Sequence, residues 1–110
     1  MTPEEAIAAL DRQLAQHGRT MRLVRAGGGL ADGVGRGFAR DFKPEELVGS
    51  IQQGDRLAIL SPTWLGPIGW LAVKAGDRVN FGQRWYRVQA PDLIELNDTV
   101  VRVELHLRGM

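Results

Sequence analysis

The chain of 110 residues contains no cysteine, so disulfide bonds and thiolate metal ligands are both excluded. It has only two histidines, His17 and His106, and neither forms a metal-binding motif with a neighbouring carboxylate. No apolar run approaches the roughly 20 residues that a membrane-crossing helix requires. These absences exclude a disulfide-stapled scaffold and a transmembrane helix, and they argue against a metal site.

The sequence also lacks an excess of either charge, with 14 basic and 13 acidic residues and a net charge of +1. Dedicated nucleic-acid-binding proteins normally carry a basic excess, so the balance argues against that class. Twelve of the basic residues are arginine. Arginine suits protein interfaces because its planar fork pairs with carboxylates and stacks on aromatic rings, although a genome rich in G and C would produce the same bias.

The first residues, Met1 to Glu5, are acidic and have no apolar core, which predicts that there is no secretory signal and that the protein is cytoplasmic. The Asn97-Asp98-Thr99 sequence fits a glycosylation acceptor, but in a cytoplasmic protein it is better interpreted as a turn. A chain of this length predicts a single domain that spans residues 1–110.

Residues 1–18 predict an N-terminal helix. Thr2 and Glu5 have the spacing of a capping box, and Pro3 occupies the first helical position, where no N–H is needed. An apolar stripe at helical spacing follows. Gly18 suits the end of the helix.

The clearest strand pattern is the hairpin from Gly76 to Val88. Val79, Phe81, Tyr86 and Val88 alternate onto one face, and Gly82-Gln83 supplies the turn between the two strands. Nothing in this unit looks reactive, so it is interpreted as a packing unit.

Four more segments predict strands, at residues 19–24, 34–42, 56–60 and 101–108, and the first and the last alternate with period two. The second is interrupted by Gly35 and Gly37. In the last, His106 falls on the face opposite the apolar residues and is predicted to be exposed. The predicted fold is mainly β (α+β): a small antiparallel barrel or sandwich over residues 19–110, with mobile loops near 26–35, 43–53 and 62–71.

The glycine-rich segment does not predict a nucleotide site. Gly28 and Gly33 have the spacing of a phosphate-binding loop, but Val34 and Gly35 stand where a lysine and a hydroxyl residue are required. Ser50 and Ser61 lack a nucleophile motif. We therefore expect no catalytic residue, no cofactor and no metal, and a protein that is not an enzyme.

Residues 63–71 carry two of the three tryptophans, yet their glycines and proline interrupt any regular element. Such a segment either plugs one end of the barrel or forms an interface, and the sequence leaves both open. The predicted subunit or partner contact comprises Trp64, Leu65, Ile68, Trp70 and Leu71, with Leu30 and Arg36 from the preceding region.

The order of elements resembles the head–tail joining (head-closure or head-completion) proteins of tailed bacteriophages. The likeness consists of a leading helix, a strand near residues 20–25, Gly54-Asp55-Arg56-Leu57, the Gly76–Val88 hairpin and the final strand. The resemblance implies a β barrel that assembles as a ring below the portal and adaptor and presents the tail-attachment surface. It also implies location in the virion, with assembly in the host cytoplasm or from a prophage, while DNA passes through without sequence-specific contact.

A second hypothesis is a small SH3-like or OB-like barrel that binds a peptide or a single-stranded nucleic acid. Trp64, Trp70 and Trp85 would then form one aromatic platform. The platform requires all three rings on one face of the sheet.

Overall fold

The computed structural model describes residues 1–110 as a six-stranded barrel with one helix against its outer wall. The helices are α1 (Pro3–His17) and α2 (Pro62–Leu65), and short 3-10 turns cover Pro44–Glu46 and Trp70–Ala72. The strands are β1 (Arg19–Val24), β2 (Gly33–Asp41), β3 (Arg56–Leu60), β4 (Arg78–Phe81), β5 (Arg84–Leu96) and β6 (Thr99–Gly109).

The start of α1 is fixed by the predicted capping box. The Glu5 backbone N–H donates to Thr2 Oγ1 at 3.2 Å, and the Thr2 N–H donates to Glu5 Oε1 at 3.1 Å. Two donors that no helical carbonyl can reach are thereby satisfied. Leu10 and Leu14 of α1 pack on the outer face of β3.

The strands close into a barrel in the order β1-β2-β3-β6-β5-β4, and β1 completes the circle by pairing with β4. All neighbouring strands are antiparallel. The predicted antiparallel β fold is confirmed, and closure selects a barrel over a sandwich. Closure also removes the sheet edges that would otherwise be open to pairing.

The predicted β4–β5 hairpin is confirmed residue by residue. Val79 lies opposite Tyr86 in the ladder. Gly82 and Gln83 both have positive φ, of 60° and 63°, which a two-residue turn between twisted strands requires. The Phe81 and Tyr86 rings stack inside the barrel with their centroids 4.4 Å apart.

Strand β5 is longer than the sequence pattern predicted. It continues through Pro91 to Leu96 and turns back into β6 at Asn97-Asp98. Pairing with β4 ends at Arg87, and pairing of β6 with β3 ends at Val103. The β5–β6 hairpin therefore projects past its neighbours, and Pro91 sits on a stretch with a partner on one side only, where a missing N–H is tolerated.

The glycines of β2 do not interrupt the strand. Gly33, Gly35 and Gly37 alternate along its inner face, where side chains of the core lie against the bare backbone. A Cβ at Gly37 would stand 2.6 Å from the Met21 sulfur, and one at Gly33 would stand 2.8 Å from the Trp70 ring. These glycines provide space for large core side chains.

Two of the predicted loops contain regular turns. The segment 43–53 includes the 3-10 turn at Pro44–Glu46. The prediction that residues 62–71 form no regular element is wrong, because α2 begins at Pro62 and a 3-10 turn begins at Trp70. Ser61 caps α2 through its side-chain oxygen, and Gly69 adopts a φ of 79° that redirects the chain between the two turns. The mobility of all three loops stays a prediction.

Substitution of Gly35 by alanine should destabilise the barrel, because the added methyl group would overlap the Trp64 indole. We expect a loss of about 2 kcal/mol in the free energy of unfolding, the usual cost of overpacking. Urea denaturation followed by circular dichroism measures it. Gly109→Ala is the matched control, since no atom lies within 4 Å of the added carbon; an equal loss in both variants would contradict the packing explanation.

Candidate functional site

The apolar segment predicted as an interface divides into buried and exposed parts. Trp70 has no exposed surface and Leu65 has 1%, and both belong to the core of the barrel. The Trp70 indole N–H donates to the Ala31 carbonyl at 2.9 Å. Their assignment to a contact surface is wrong: these two side chains plug one end of the barrel.

The Trp70 ring is also held by a cation. The Arg25 guanidinium lies 5.2 Å from the ring centroid and donates to the Ala72 carbonyl at 2.9 Å. The same side chain forms an ion pair with the buried Asp77, with 3.1 Å between Nε and Oδ1. The 3-10 turn that carries Trp70 is therefore fixed to the end of β1.

Trp64, Leu71 and Leu30 are half-buried at the same end of the barrel and pack against its core. The Trp64 indole N–H donates to the Arg36 carbonyl at 3.0 Å, which holds its ring over Gly35. These three side chains form the outer layer of the plug and present only part of their surface to solvent.

Arg36 lies on the outer face of β2 and acts within the chain. Its Nε donates to the Leu14 carbonyl at 3.0 Å, and its Nη2 donates to the Gly18 carbonyl at 2.7 Å. These carbonyls stand at the end of α1, where no helical donor remains and a positive charge offsets the dipole. The structure thus assigns Arg36 a capping role that the sequence did not indicate.

Ile68 is the one apolar member of the predicted contact set that is classed as exposed, at 44%. It follows Pro67 between the two short helical turns and lies over Gly33. Of the apolar residues in the predicted contact, Ile68 therefore keeps the largest exposed fraction for a partner.

The different environments of Trp70 and Ile68 predict different responses to mutation. Trp70→Phe removes a buried hydrogen bond and core volume, and should lower the free energy of unfolding by about 2 kcal/mol. Ile68→Ser should change it by less than about 0.5 kcal/mol, as expected of an exposed site. Thermal denaturation of both variants makes the comparison; a large loss for Ile68→Ser would place that side chain in the core.

The three tryptophans do not form the platform that a peptide-binding or single-strand-binding barrel would need. Trp70 is buried, and Trp64 lies over the inner face of β2. Trp85 is 42% exposed on the β4–β5 hairpin, and Arg78 stands 5.9 Å from its centroid. A single exposed ring remains, so the three-ring arrangement is wrong.

A second cluster surrounds Asp55, at the start of β3. Its side chain is only 3% exposed, and it accepts hydrogen bonds from Arg108 through Nε at 3.0 Å and Nη2 at 2.9 Å. The Gln52 backbone N–H donates at 2.9 Å, and His106 Nε2 lies 2.6 Å away. The bidentate Arg108 contact is the main reason that the pKa of the Asp55 carboxyl lies well below its usual value.

His106 was predicted to be exposed, and the structure corrects this. Its residue is only 9% exposed, although it does point away from the barrel interior as the alternation indicates. The Phe42 and His106 rings pack edge to face with their centroids 5.5 Å apart, and His106 Nε2 is hydrogen-bonded to the Asp55 carboxylate. The alternation in β6 correctly places His106 on the outer face of the barrel. Its burial comes from Phe42, which follows β2, and the pattern of β6 alone carries no information about that contact.

The two Gly-Asp turns that the sequence repeats have the same geometry. Gly54 and Gly76 each adopt a φ of 95°. In both turns the aspartate carboxylate accepts the backbone N–H three residues before it, at 2.9 Å, as Asp77 does from Lys74. Each buried aspartate also pairs with an arginine that is distant in sequence, so each turn ties the start of one strand to another part of the chain.

The contacts of the Asp55 cluster hold parts of the fold together. Its carboxylate oxygens are already occupied by donors from His106, Arg108 and Gln52, and no serine or threonine hydroxyl bonds to His106. No group of three or more histidine, aspartate or glutamate side chains in the chain could hold a metal ion. The cluster joins β6 to the turn before β3.

A surface groove of about 460 Å³ separates α1 from the barrel wall. Leu14 and His17 line it from the helix, and Phe38 and Ile59 line it from β2 and β3. The groove contains one histidine and no carboxylate, so no acid–base pair converges on it. Neither helix is long and apolar enough to cross a bilayer.

No protein-family model matches the chain, and no curated protein matches it in sequence.

The low pKa of Asp55 predicts a component of acid denaturation. Folding lowers this pKa, so the ionised Asp55 carboxylate stabilises the folded state at pH values above the unfolded pKa of about 4. This stabilisation is lost as the pH falls towards the folded pKa. Wild-type stability should therefore fall below pH about 4 more steeply than that of Asp55→Asn, which itself should lose about 3 kcal/mol at neutral pH. Urea titrations at several pH values measure both.

Glu45→Gln is the control for this measurement, since Glu45 is exposed and forms no ion pair. It should leave the steepness unchanged. A wild-type profile parallel to that of Asp55→Asn would contradict the assignment.

Proposed function

We propose that this protein is a structural protein of a tailed bacteriophage or prophage that joins the DNA-filled head to the tail. It assembles as a ring below the portal and adaptor and presents the surface on which the tail attaches. Its partners are copies of itself, portal or adaptor proteins and tail proteins, and DNA passes through the ring without being read. The protein is not an enzyme and uses no cofactor.

The observation that carries this proposal is the shape of the fold. A closed barrel with a leading helix has a β5–β6 hairpin that extends beyond every neighbouring strand. Closure gives a rigid body, since its core is fully enclosed and its glycine-lined strand packs on the tryptophans. The hairpin gives reach, which a subunit needs in order to contact others around a ring. The order of these elements along the chain is the order that resembles the head–tail joining proteins.

The charge distribution supports passage of DNA. A ring whose lumen carried a strong basic excess would hold the duplex through its phosphates. The chain has a net charge of +1, and many of its arginines are engaged within the protein, as Arg25, Arg36, Arg40 and Arg108 are. A surface of this kind lets a duplex move.

The proposal is tested by deleting the gene from the phage or prophage that carries it. The induced lysate should contain DNA-filled heads and free tails in place of joined virions, counted by electron microscopy. Purified protein added to that lysate should restore joined, infectious particles. Protein carrying Gly35→Ala, whose barrel is destabilised, should restore fewer particles at elevated temperature than protein carrying Gly109→Ala.

Normal numbers of joined virions after deletion would refute the proposal. So would a reading frame that lies far from any portal, capsid or tail gene.

A further inference from the structure

Strand β5 carries opposite charges at its two ends. Its first half holds Arg84 and Arg87 beside Arg78 of β4, and residues 78–91 include no acidic residue. Its second half and the following turn hold three acids and no basic residue between positions 92 and 101: Asp92, Glu95 and Asp98. Arg78, Trp85 and Arg87 share the outer face, and Arg84 lies beside them next to the β4–β5 turn. We call these four residues the basic patch, and the three acids the acidic tip.

None of these six charges has an ion-pair partner within the chain. Most arginines elsewhere on the surface are paired, as Arg22 is with Asp32 and Arg40 is with Glu46. No ion pair and no side-chain hydrogen bond of the structure involves the charged groups of the basic patch or the acidic tip. Six charges without an ion pair therefore lie along β5 and beside it, and they are separated by sign along the strand.

The strand register places like charges opposite one another at both ends. Arg87 faces Arg78 on one side and Arg108 on the other, and Asp92 faces Glu104. Arg108 and Glu104 have partners of opposite charge, but Arg78, Arg87 and Asp92 have none. Directly opposed like charges destabilise a sheet, so stability of the isolated barrel does not account for this pattern. A partner of complementary charge does.

One molecule cannot bring its own acidic tip to its own basic patch. Arg87 and Glu95 are eight residues apart on one strand, which at about 3.4 Å per residue separates them by about 27 Å. The strand is fixed in the barrel at its first half by β4 and β6. The complementary charges must therefore come from a second molecule.

We propose that the acidic tip of one copy docks on the basic patch of the next copy, in a head-to-tail contact. The projecting hairpin supplies the reach, and the exposed Trp85 ring supplies an apolar centre that the half-buried Ile94 and Leu96 beside the tip can cover. The two surfaces differ, so the contact is heterologous and a suitable rotation closes it into a ring. This inference rests on the ring assembly proposed above and identifies its subunit contact.

A polyanion such as duplex DNA would also fit the basic patch taken alone. The acidic tip favours a second copy of this chain, because the second half of β5 and the following turn provide the same number of opposite charges. DNA on the basic patch would leave the three acids unpaired. DNA binding is therefore an outcome that the experiment must separate.

The test uses two charge-reversed variants of the full chain. The tip variant carries Asp92→Lys and Glu95→Lys, and the patch variant carries Arg84→Glu and Arg87→Glu. Sedimentation equilibrium measures self-association at roughly 0.02 M and 0.5 M salt, where screening of surface charges differs strongly. Wild-type protein should associate beyond two copies at low salt, and association should weaken by about tenfold or more at high salt and in each variant.

An equimolar mixture of the two variants should restore association. In the mixture the basic tip of the tip variant can dock on the acidic patch of the patch variant. The unchanged acidic tip of the patch variant can dock on the unchanged basic patch of the tip variant. A third variant with Glu4→Lys and Glu45→Lys has the same change in charge as the tip variant but lies away from β5, and it should associate as wild type does. Circular dichroism shows that each variant is folded.

Four results would overturn the inference: wild-type protein that stays monomeric at about 1 mM, a concentration that reveals even weak contacts; assembly that stops at two copies; a variant mixture that stays monomeric; or tight binding of a short DNA duplex that the patch variant alone loses, without self-association. The last result would make the patch a polyanion site.

The same variants separate this inference from the proposed function. If the patch variant joins heads to tails as well as wild type does, the subunit contact is wrong while the joining role stands. If deletion of the gene leaves virions intact, the joining role is wrong even where self-association through β5 is measured.

Discussion

The inner face of β2 carries nothing larger than the Ala39 methyl group between Gly33 and Ala39, and the packing of the barrel depends on this. Interiors are close-packed, so a strand without side chains must be filled from elsewhere. Trp70, Trp64 and Met21 fill it, and the two indole rings bring α2 and the following 3-10 turn over the open end. The glycines and the tryptophan segment, which look like two separate irregularities in the sequence, form one packing unit.

The two buried aspartates hold the strands to this core at opposite ends of the barrel. Asp55 and Asp77 each follow a glycine of positive φ, bond back to the turn, and pair with an arginine that is distant in sequence. A buried charge is tolerated only when it is paired and hydrogen-bonded, so both turns are committed to one arrangement. The closed ladder of strands, the packed tryptophan segment and the two aspartate–arginine pairs together make the barrel a rigid body. Contacts with other molecules are then made by its surface.

That surface is uneven in charge. Around most of the barrel, arginines meet acids or helix carbonyls, as Arg36 does at the end of α1. Along β5 the charges have no ion pairs and are separated by sign, with the acidic half on the hairpin that projects from the barrel. A protein that acts by assembly needs such a surface, because steering and register between copies depend on complementary charge more than on buried area. The fold and the charge pattern thus support the same kind of function.

Local patterns in the sequence determined α1, the β4–β5 hairpin and the inner faces of the strands, because capping, turn chemistry and alternation act over a few residues. These patterns did not predict that β5 continues through Pro91. This part of the strand pairs on one side only, and its buried and exposed residues do not alternate regularly. Tertiary structure alone decided that Trp70 lies inside, that His106 is covered and that Arg36 caps a helix. Each of these outcomes depends on a contact with a residue at least 18 positions away, and no local pattern encodes which distant backbone or side chain will meet it.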